Sequence, residues 1–250
     1  MLKHLSLGEA DRIVTFHTPD VGKLRAVARG VRRVKSRMSG HLEPLTHVRL
    51  SVARGRNLDV VSEAETITSF RALKEDLNLV SKAIFLTELI DGFSSEESPN
   101  PEEFGLLLSV LTMLPETDAP DQLLSYFEAR LLALSGFGPE LRSCAECGDE
   151  LEPGDHLFSA IAGGLLCPRC KVTSRDPMLS VTINAIKVLR FFQQESLVKS
   201  LELKLSDGLL VEVERFLSSY VRFILERELK SVEFMNLVHA TDAEVVKGGG

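Results

Sequence analysis

The sequence predicts an α+β protein in two dissimilar parts, a β-rich stretch at the N-terminus and a longer helical region that carries a compact four-cysteine motif. Three observations support this prediction. The first 70 residues contain short runs that alternate apolar and polar side chains between turn signals. The residues after them show apolar side chains at helical spacing. All four cysteines fall within residues 144–170.

Residues 1–70 are predicted to form a small β-barrel. The runs DRIVTFHT and GKLRAVARGV flank the turn-forming sequence TPDVG, which indicates a β-hairpin. A second hairpin is predicted from LTHVRLSV, in which Val48, Leu50 and Val52 share one face, and from LDVVSEAETI after a turn at ARGRN. Four or five short strands in a stretch of this length suit a closed barrel, and the OB-fold is the form we expect.

Positive charge is concentrated in this region, although the whole chain has a formal net charge of −7. Residues 21–56 contain ten basic residues and one acidic residue, a net charge of +9, which leaves −16 for the remainder. Such asymmetry predicts a polyanion-binding module, because bound phosphates offset the self-repulsion of a basic segment. A solvated surface without a ligand is the alternative. The residues that we expect to bind nucleic acid are Lys23, Arg25, Arg29, Arg32, Arg33, Lys35, Arg37, Arg54 and Arg56.

The first hairpin is expected to place Lys23, Arg25 and Arg29 on one side, with the cluster from residue 32 to residue 37 on a loop beyond it. Aromatic rings that could stack on bases are scarce. Before Phe85 the only Phe, Tyr or Trp rings belong to Phe16 and Phe70, and both suit core positions. Binding is therefore expected to be mainly electrostatic and weakly dependent on base sequence.

Residues 71–240 are predicted to form a helical domain, followed by a flexible tail at 241–250. The segment SSEESPNP at 94–101 is expected to be a solvated linker. Residues 69–93 are expected to be helical, with an apolar stripe at Leu73, Leu77, Val80 and Ile84. A long helix near the C-terminus is expected to bury an apolar stripe in the core, with a groove for a partner peptide as the alternative. That stripe consists of Leu209, Val213, Phe216, Leu217, Tyr220, Phe223 and Ile224.

The strongest local motif is CAECG followed by CPRC, in which Cys144, Cys147, Cys167 and Cys170 have the spacing C-x₂-C-x₁₉-C-x₂-C. Each pair can form a tight turn with both thiolates facing one cation, and Gly148 supplies the backbone freedom that such a turn needs. Four thiolates complete the shell of one structural Zn²⁺ and leave no position for a catalytic water. We therefore expect a zinc finger at about residues 141–175. Two disulfides or bound iron are the alternatives, and disulfides are disfavoured in a reducing cytosol.

Several function classes have no signal in the sequence. It contains no apolar run long enough to span a membrane and no signal peptide, so a cytoplasmic protein with no membrane partner is expected. It also contains no phosphate-binding loop, no H-E-x-x-H and no G-x-S-x-G, and its adjacent carboxylates lie in polar contexts. We therefore expect a protein that is not an enzyme. A zinc-ribbon enzyme that processes nucleic acid is the alternative, and a purely structural adaptor is a third possibility.

Three ordered motifs resemble the RecO family of bacterial DNA repair and recombination mediators. They are LGEADRIVTFHTPDVGKLRAVARGVRRVKSRMSGHLEP at 7–44, SYFEARLLALSGFGPELRSCAECG at 125–148 and FSAIAGGLLCPRC at 158–170. The resemblance covers most of the first 230 residues. It implies an N-terminal OB domain and a helical domain with an inserted zinc finger. Only MLKHLSL precedes the GEADRIV part of the first motif, fewer residues than family members usually have, so we expect either a barrel incomplete at that edge or a different start site.

The same resemblance implies a function and partners. It implies binding of single- and double-stranded DNA, annealing of complementary strands, and help in loading recombinase on DNA covered by single-stranded DNA-binding protein. The implied protein partners are RecR and the C-terminal tail of the single-stranded DNA-binding protein, and the implied location is cytoplasmic and nucleoid-associated. We expect the acidic tail to dock on the helical part, where cations alternate with Ile186, Leu189, Phe216 and Tyr220.

Overall fold

A computed structural model describes residues 1–173 and 177–248 of the chain. The chain divides into two compact units. Unit 1 comprises Met1–Glu116 and Leu229–Gly250, and unit 2 comprises Thr117–Glu228. The functional division into 1–70 and 71–240 stays a prediction, because compactness alone does not define a functional domain.

The chain is mixed in secondary structure, as predicted. In chain order its strands are β1 Lys3–Leu7, β2 Asp11–Thr18, β3 Gly22–Ala28, β4 His47–Ala53, β5 Asp59–Thr68, β6 His156–Ser159, β7 Gly164–Leu166 and β8 Met178–Val181. The helices are α1 Arg71–Lys74, α2 Leu77–Phe93, α3 Pro101–Met113, α4 Pro120–Leu134, α5 Pro168–Thr173, α6 Ile183–Gln194, α7 Leu197–Leu201, α8 Asp207–Leu225 and α9 Lys230–Gly248. Among the described helices, none is both long and apolar enough to cross a membrane.

Unit 1 is built on a five-stranded sheet with the order β1-β2-β3-β5-β4. β2 to β5 lie on the four alternating runs seen in the sequence, and β1 adds a strand at the N-terminus. Neighbouring strands are antiparallel except β3 and β5, which run parallel and pair Ala26 with Asp59 and Val27 with Val60. Val48, Leu50 and Val52 of β4 pack against the core on one face, as their alternation predicts. The buried members of that core are Val14, Phe16, Ala26, Ala28, Val31, Leu42 and Val61.

The predicted closed barrel is wrong for the described residues, and the OB-fold is not confirmed. The edge strands β1 and β4 form no ladder with each other in the described sheet. They approach only at their beginnings, where the Met1 ammonium donates to the Thr46 carbonyl at 2.7 Å and the Leu45 amide donates to the Met1 carbonyl at 3.1 Å. β1 has five residues and is mostly exposed, so it offers little apolar surface to pull a second strand against it.

The helix predicted over residues 69–93 is present but interrupted, because the chain breaks into α1 and α2. Asp76 causes the break: its carboxylate accepts a hydrogen bond from the Leu79 amide at 3.0 Å and caps the start of α2. Leu77, which we placed on the buried stripe, is 59% exposed. α2 instead buries a broad face that includes Ala83, Phe85, Leu86, Leu89 and Ile90.

The segment 94–101 joins α2 to α3, and residues 95–99 are exposed, as expected of a solvated linker, but the segment also pairs with the sheet. The Lys23 amide donates to the Ser95 carbonyl at 3.1 Å, and Gly22 and Lys23 bridge to Glu96. Ser94 is buried. The segment therefore covers the turn between β2 and β3.

The last helix, α9, packs on α2 and belongs to unit 1. The Glu88 carboxylate accepts hydrogen bonds from the amides of Lys230 and Ser231, at 3.2 and 2.8 Å. The tail expected at 241–250 falls on the end of α9, which runs to Gly248, and on two glycines outside the described residues.

Unit 2 combines α4, α6, α7 and α8 with a three-stranded sheet of order β7-β6-β8. The predicted stripe of α8 lies mainly in the core, since Val213, Phe216, Leu217 and Tyr220 are buried. Phe223, which we placed on the same stripe, is 44% exposed. The four-cysteine segment lies between α4 and α6, within the range in which an inserted finger was expected.

Candidate nucleic-acid interface and metal centre

Seven of the nine predicted DNA-binding residues are exposed on two connections of the unit 1 sheet. One connection is the loop between β3 and β4, and the other is the turn between β4 and β5. Within the described residues, none of the seven forms an ion pair with a carboxylate. We call this set the basic surface, and it consists of Arg29, Arg32, Arg33, Lys35, Arg37, Arg54 and Arg56.

The loop between β3 and β4 is built from successive turns that hold its backbone. The Gly30 amide donates to the Asp11 carboxylate at 2.7 Å, and Gly30 has a φ of 64° that favours glycine. The Arg33 amide donates to the Gly30 carbonyl and the Ser36 amide donates to the Arg33 carbonyl, at 3.1 and 2.9 Å. Arg32 also donates from its side chain to the Gly8 carbonyl. The loop is thereby fixed to the sheet while its charged groups remain in solvent.

The structure treats Lys23 and Arg25 differently from the other predicted residues. The Lys23 ammonium is 3.6 Å from the Asp91 carboxylate, and its side chain is only 16% exposed. Arg25 lies 3.9 Å from the Glu96 carboxylate. The carboxylates come from the end of α2 and from the segment 94–101, which the sequence did not place near β3. These two cations are therefore partly neutralised within the protein.

The basic surface is contributed by two separate connections of the sheet. β3 and β5 are parallel, with Ala26 opposite Asp59, so the turn that precedes β5 projects toward the beginning of β3. The loop after Ala28 leaves from the other end of the same strand.

The four cysteine side chains converge as the sequence predicts. Their sulfur atoms all lie within 4.8 Å of one another, and the Cys147 and Cys167 sulfurs are 3.8 Å apart. Tetrahedral zinc with Zn–S bonds of about 2.3 Å places its ligand sulfurs about 3.8 Å apart. All four are free thiols, so the disulfide alternative is not supported. The donor set and its spacing fit a single tetrahedral ion.

Backbone hydrogen bonds bring the two cysteine pairs together. Gly148 has a φ of 77°, as a tight turn after Cys147 requires, and its amide donates to the Cys144 carbonyl at 2.8 Å. This confirms the prediction for Gly148. The Ala145 amide donates to the Leu165 carbonyl at 2.9 Å and fixes the first turn to β7, the strand that leads to the second pair.

The pKa of Cys144, the first cysteine of the cluster, is lowered. Burial raises the pKa of Cys144, but backbone amides that donate toward its sulfur, beginning with that of Cys167, outweigh burial and lower the pKa to about 6. The Cys167 amide lies 3.3 Å from that sulfur. A thiolate is the form that binds metal, so these amides favour the liganding form of Cys144.

Comparison with known proteins gives one consistent result. The family model described as Recombination protein O N terminal matches residues 1–70, and the one described as Recombination protein O C terminal matches residues 74–233. The DNA repair protein RecO of Dehalococcoides mccartyi strain CBDB1 is 38% identical over 242 residues, covering 97% of this chain and 95% of that protein. The DNA repair protein RecO of Roseiflexus sp. strain RS-1 is 39% identical over 236 residues, covering 94% of this chain and 83% of that protein.

The chain belongs to the RecO family. The two family models together span nearly the whole chain, so the family applies to both units. Membership of the RecO family assigns the chain to DNA repair and recombination, which confirms the resemblance seen in its three sequence motifs.

The four apolar residues that we named for docking of an acidic tail in this RecO chain are not exposed, and docking of the tail on the helical part stays a prediction. Ile186, Leu189, Phe216 and Tyr220 are buried in unit 2, so they fill its core and line no groove. Arg190, one of the intervening cations, donates its Nε hydrogen bond to the Leu141 carbonyl at 2.9 Å.

Sequence reasoning also missed one interaction in the metal centre of this RecO chain. Arg169, which lies between the cysteines of the second pair, forms an ion pair with Asp149, which follows the first pair. The sequence offered one indication of this ion pair, because Arg169 and Asp149 have opposite charges and each lies within two residues of a predicted metal ligand.

Proposed function

We propose that this RecO-family chain is a recombination mediator that binds single- and double-stranded DNA through the basic surface. The observation that carries the proposal is seven exposed cations without carboxylate partners, within the described residues, on an otherwise acidic chain. In this proposal the protein anneals complementary strands and helps load recombinase on DNA covered by single-stranded DNA-binding protein. Complementary strands repel through their phosphates, and a basic surface that holds both lowers this barrier without covalent chemistry or nucleotide hydrolysis.

The finer features of the proposal concern fold and partners. A sheet whose edges approach at Met1, Leu45 and Thr46 is compatible with a partly open OB barrel, so we propose that residues 1–70 act as an OB-type DNA-binding domain. Residues 71–240 would form the second functional domain. RecR and the C-terminal tail of the single-stranded DNA-binding protein are the proposed protein partners, and the cytoplasm is the proposed location.

We also propose that Cys144, Cys147, Cys167 and Cys170 hold one structural Zn²⁺. The converging thiols and the backbone hydrogen bonds around them support this assignment. The ion would join the two turns and fix the small sheet of unit 2. Four sulfur ligands leave no open coordination position, so the proposed role is structural. No observation in the described residues favours the alternative of a zinc-ribbon enzyme.

The DNA-binding proposal is tested by removing two cations of the basic surface. The double variant Arg33→Ala with Arg37→Ala should weaken binding to unrelated DNA sequences to a similar degree. If both residues contact phosphate, the slope of log K against log salt should flatten by about 1.4 to 1.8, since each lost contact contributes about 0.7 to 0.9. Gel-shift titration of single- and double-stranded DNA across a salt series measures this.

A charge-matched control uses the double variant Arg49→Ala with Arg71→Ala. Both arginines are exposed in unit 1, but they are paired with Glu65 at 3.2 Å and Glu75 at 2.7 Å. This control should retain more of the salt slope. Equal slopes for the wild-type protein and the Arg33 and Arg37 double variant would show that the basic surface is only solvated.

A further inference from the structure

Unit 1 contains a half-open cavity that plays no part in the proposed DNA binding. It lies between the sheet and α3, close to Met1, where the two sheet edges approach, and its walls are mainly apolar. The ring of Phe104 on α3 lies between the rings of His17 and His47, with centroid distances of 6.0 and 5.7 Å. Aromatic rings in these arrangements offer faces and edges to a further ring.

Among the polar residues that line this cavity, His17 has a buried atom without a partner. It is buried, with 6% of its surface exposed, and its Nδ1 lies 3.4 Å from the Ser94 hydroxyl. Its other ring nitrogen, Nε2, is buried and has no hydrogen-bond partner among the described residues. A buried polar atom without a partner costs free energy, so a ligand that supplies the missing hydrogen bond is favoured there.

The neighbouring hydrogen bonds decide what kind of group Nε2 can bind. Ser94 has a single hydroxyl proton, which it donates to the Glu103 carboxylate at 3.1 Å. The Ser94 oxygen then accepts from Nδ1–H of His17, so the proton of the neutral imidazole is on Nδ1 and Nε2 carries a lone pair. Ser94 and Glu103 are both buried, which protects this arrangement from water. His17 Nε2 therefore needs a hydrogen-bond donor.

Two residues that line this cavity have a strained backbone. Leu45 and Phe70 both line the cavity, and their φ angles are 56° and 48°. Side chains other than glycine rarely adopt this left-handed region, and such strain concentrates where proteins bind ligands. An apolar cavity, an unpartnered buried nitrogen and two strained residues thus coincide in one part of unit 1.

We propose that this cavity binds a small neutral aromatic molecule that carries one O–H or N–H donor, and that His17 Nε2 accepts the hydrogen bond from it. The aromatic part would pack against Phe104 and the apolar walls. Charged ligands are disfavoured because a buried, mainly apolar site does not replace their hydration. The site is independent of the proposed DNA binding and can be tested without DNA.

Phenol, anisole and toluene are the probes, since they share a ring of similar size. Phenol supplies a donor, anisole supplies only an acceptor, and toluene supplies neither. Met1 lines the cavity, whereas the other four methionines, Met38, Met113, Met178 and Met235, do not. Titration into the full chain labelled with ¹³C at the methionine methyl groups therefore reports binding at this site, with four internal controls.

The expected result is a saturable shift of the Met1 signal, with the other methionine signals unmoved. Phenol should bind about five- to tenfold more tightly than toluene or anisole, the gain expected from one net hydrogen bond. Preference for anisole, equal affinity for phenol and toluene, or no saturable shift of Met1 would overturn the proposal.

Two variants test whether His17 Nε2 is the atom that makes the cavity prefer phenol to toluene. His17→Phe keeps a ring but lacks Nε2, so it should bind phenol and toluene equally. His156→Phe, a control in unit 2 that does not line the cavity, should keep the preference for phenol. A preference that survives in His17→Phe would overturn the assignment. If His17→Phe does not fold, the ranking of the three probes on the wild-type protein still decides the proposal.

Discussion

Gly22 shows how one residue positions a whole segment. It begins β3 with a φ of 75°, and a Cβ added to it would lie 2.2 Å from the Ser98 carbonyl oxygen. Only glycine permits this approach, which holds the segment 94–101 against the turn between β2 and β3. Through this contact Glu96 comes close to Arg25, so the backbone of one glycine affects which cations are left free.

We predict that Gly22→Ala destabilises unit 1. The left-handed backbone alone costs a residue other than glycine about 1–3 kcal/mol, and the clash with Ser98 adds to that cost. Urea unfolding followed by circular dichroism should show a lower midpoint. Gly40→Ala is the matched control, since a Cβ there meets no atom within 4 Å, and it should change the free energy of unfolding by less than about 0.5 kcal/mol. Equal midpoints for the two variants would contradict the prediction.

At the scale of elements, two helices depend on single carboxylates in different ways. Glu88 on α2 lies at the start of α9, where its charge satisfies amides that have no partner within the helix. Glu128 on α4 is buried in unit 2 near Glu214, and its Oε1 has no hydrogen-bond partner in the described residues. Glu88 therefore stabilises the start of α9 when it is charged, whereas Glu128 destabilises unit 2 least when it is neutral.

We predict that Glu88→Ala loosens the docking of α9 on α2. Loss of a helix cap costs about 0.5–2 kcal/mol, so amide hydrogen exchange in the first turn of α9 should accelerate by roughly threefold to thirtyfold. Glu75→Ala, which removes an exposed carboxylate paired with Arg71, should leave that exchange unchanged. Unchanged exchange in Glu88→Ala would show that apolar packing alone holds α9.

We predict that Glu128 makes unit 2 less stable as the pH rises. Burial, and then the charge of Glu214, raise the pKa of Glu128 from 4.5 to about 8. Between these two values the folded state holds a proton that the unfolded state releases, so stability falls as pH increases through this window. Glu128→Gln keeps the shape and removes the titration.

The test for Glu128 is urea unfolding at pH 5 and pH 8, followed by hydrogen exchange of peptides from α4. The wild-type protein should lose stability between the two conditions, and Glu128→Gln should lose less of it. Glu202→Gln, at an exposed position of the same unit, should behave like the wild-type protein. An identical pH dependence in wild-type and Glu128→Gln proteins would refute the prediction.

At the scale of the whole molecule, the chain has two separately built cores. Unit 1 has a core on the five-stranded sheet, and it also includes α9, which comes from the far end of the sequence and packs on α2. Unit 2 contains the whole cysteine cluster. A change confined to the metal centre should therefore act mainly on unit 2.

We predict that one Zn²⁺ is bound per chain and that its loss weakens unit 2 selectively. Cys147→Ser should abolish the metal, measured by inductively coupled plasma mass spectrometry, because three sulfurs and a hydroxyl bind zinc less strongly than four thiolates. Amides of β6 to β8 should lose protection from hydrogen exchange, while those of β2 and β3 keep it. Ser143→Ala is the neighbouring control. Metal content near zero in reductively purified wild-type protein would contradict the prediction.

The sequence by itself determined the features that depend on local chemistry. The alternation of apolar and polar side chains predicted β2 to β5, because a strand places successive side chains on opposite faces. Cysteine spacing predicted the cluster because two residues between thiols allow both to face one ion. Gly148 was identified because a tight turn there needs a backbone that glycine adopts easily.

Only the tertiary structure decided the features that depend on residues far apart in the chain. The sequence could not show that Asp91 and Glu96 approach Lys23 and Arg25, or that the edges of the sheet meet only near Met1. Likewise, the cations near Ile186 suggested a groove, but the apolar residues between them are core. The periodicity of apolar residues along the sequence indicates which face of a helix or strand is apolar. Which other element covers that face, and which charges it brings, is determined by packing between distant segments.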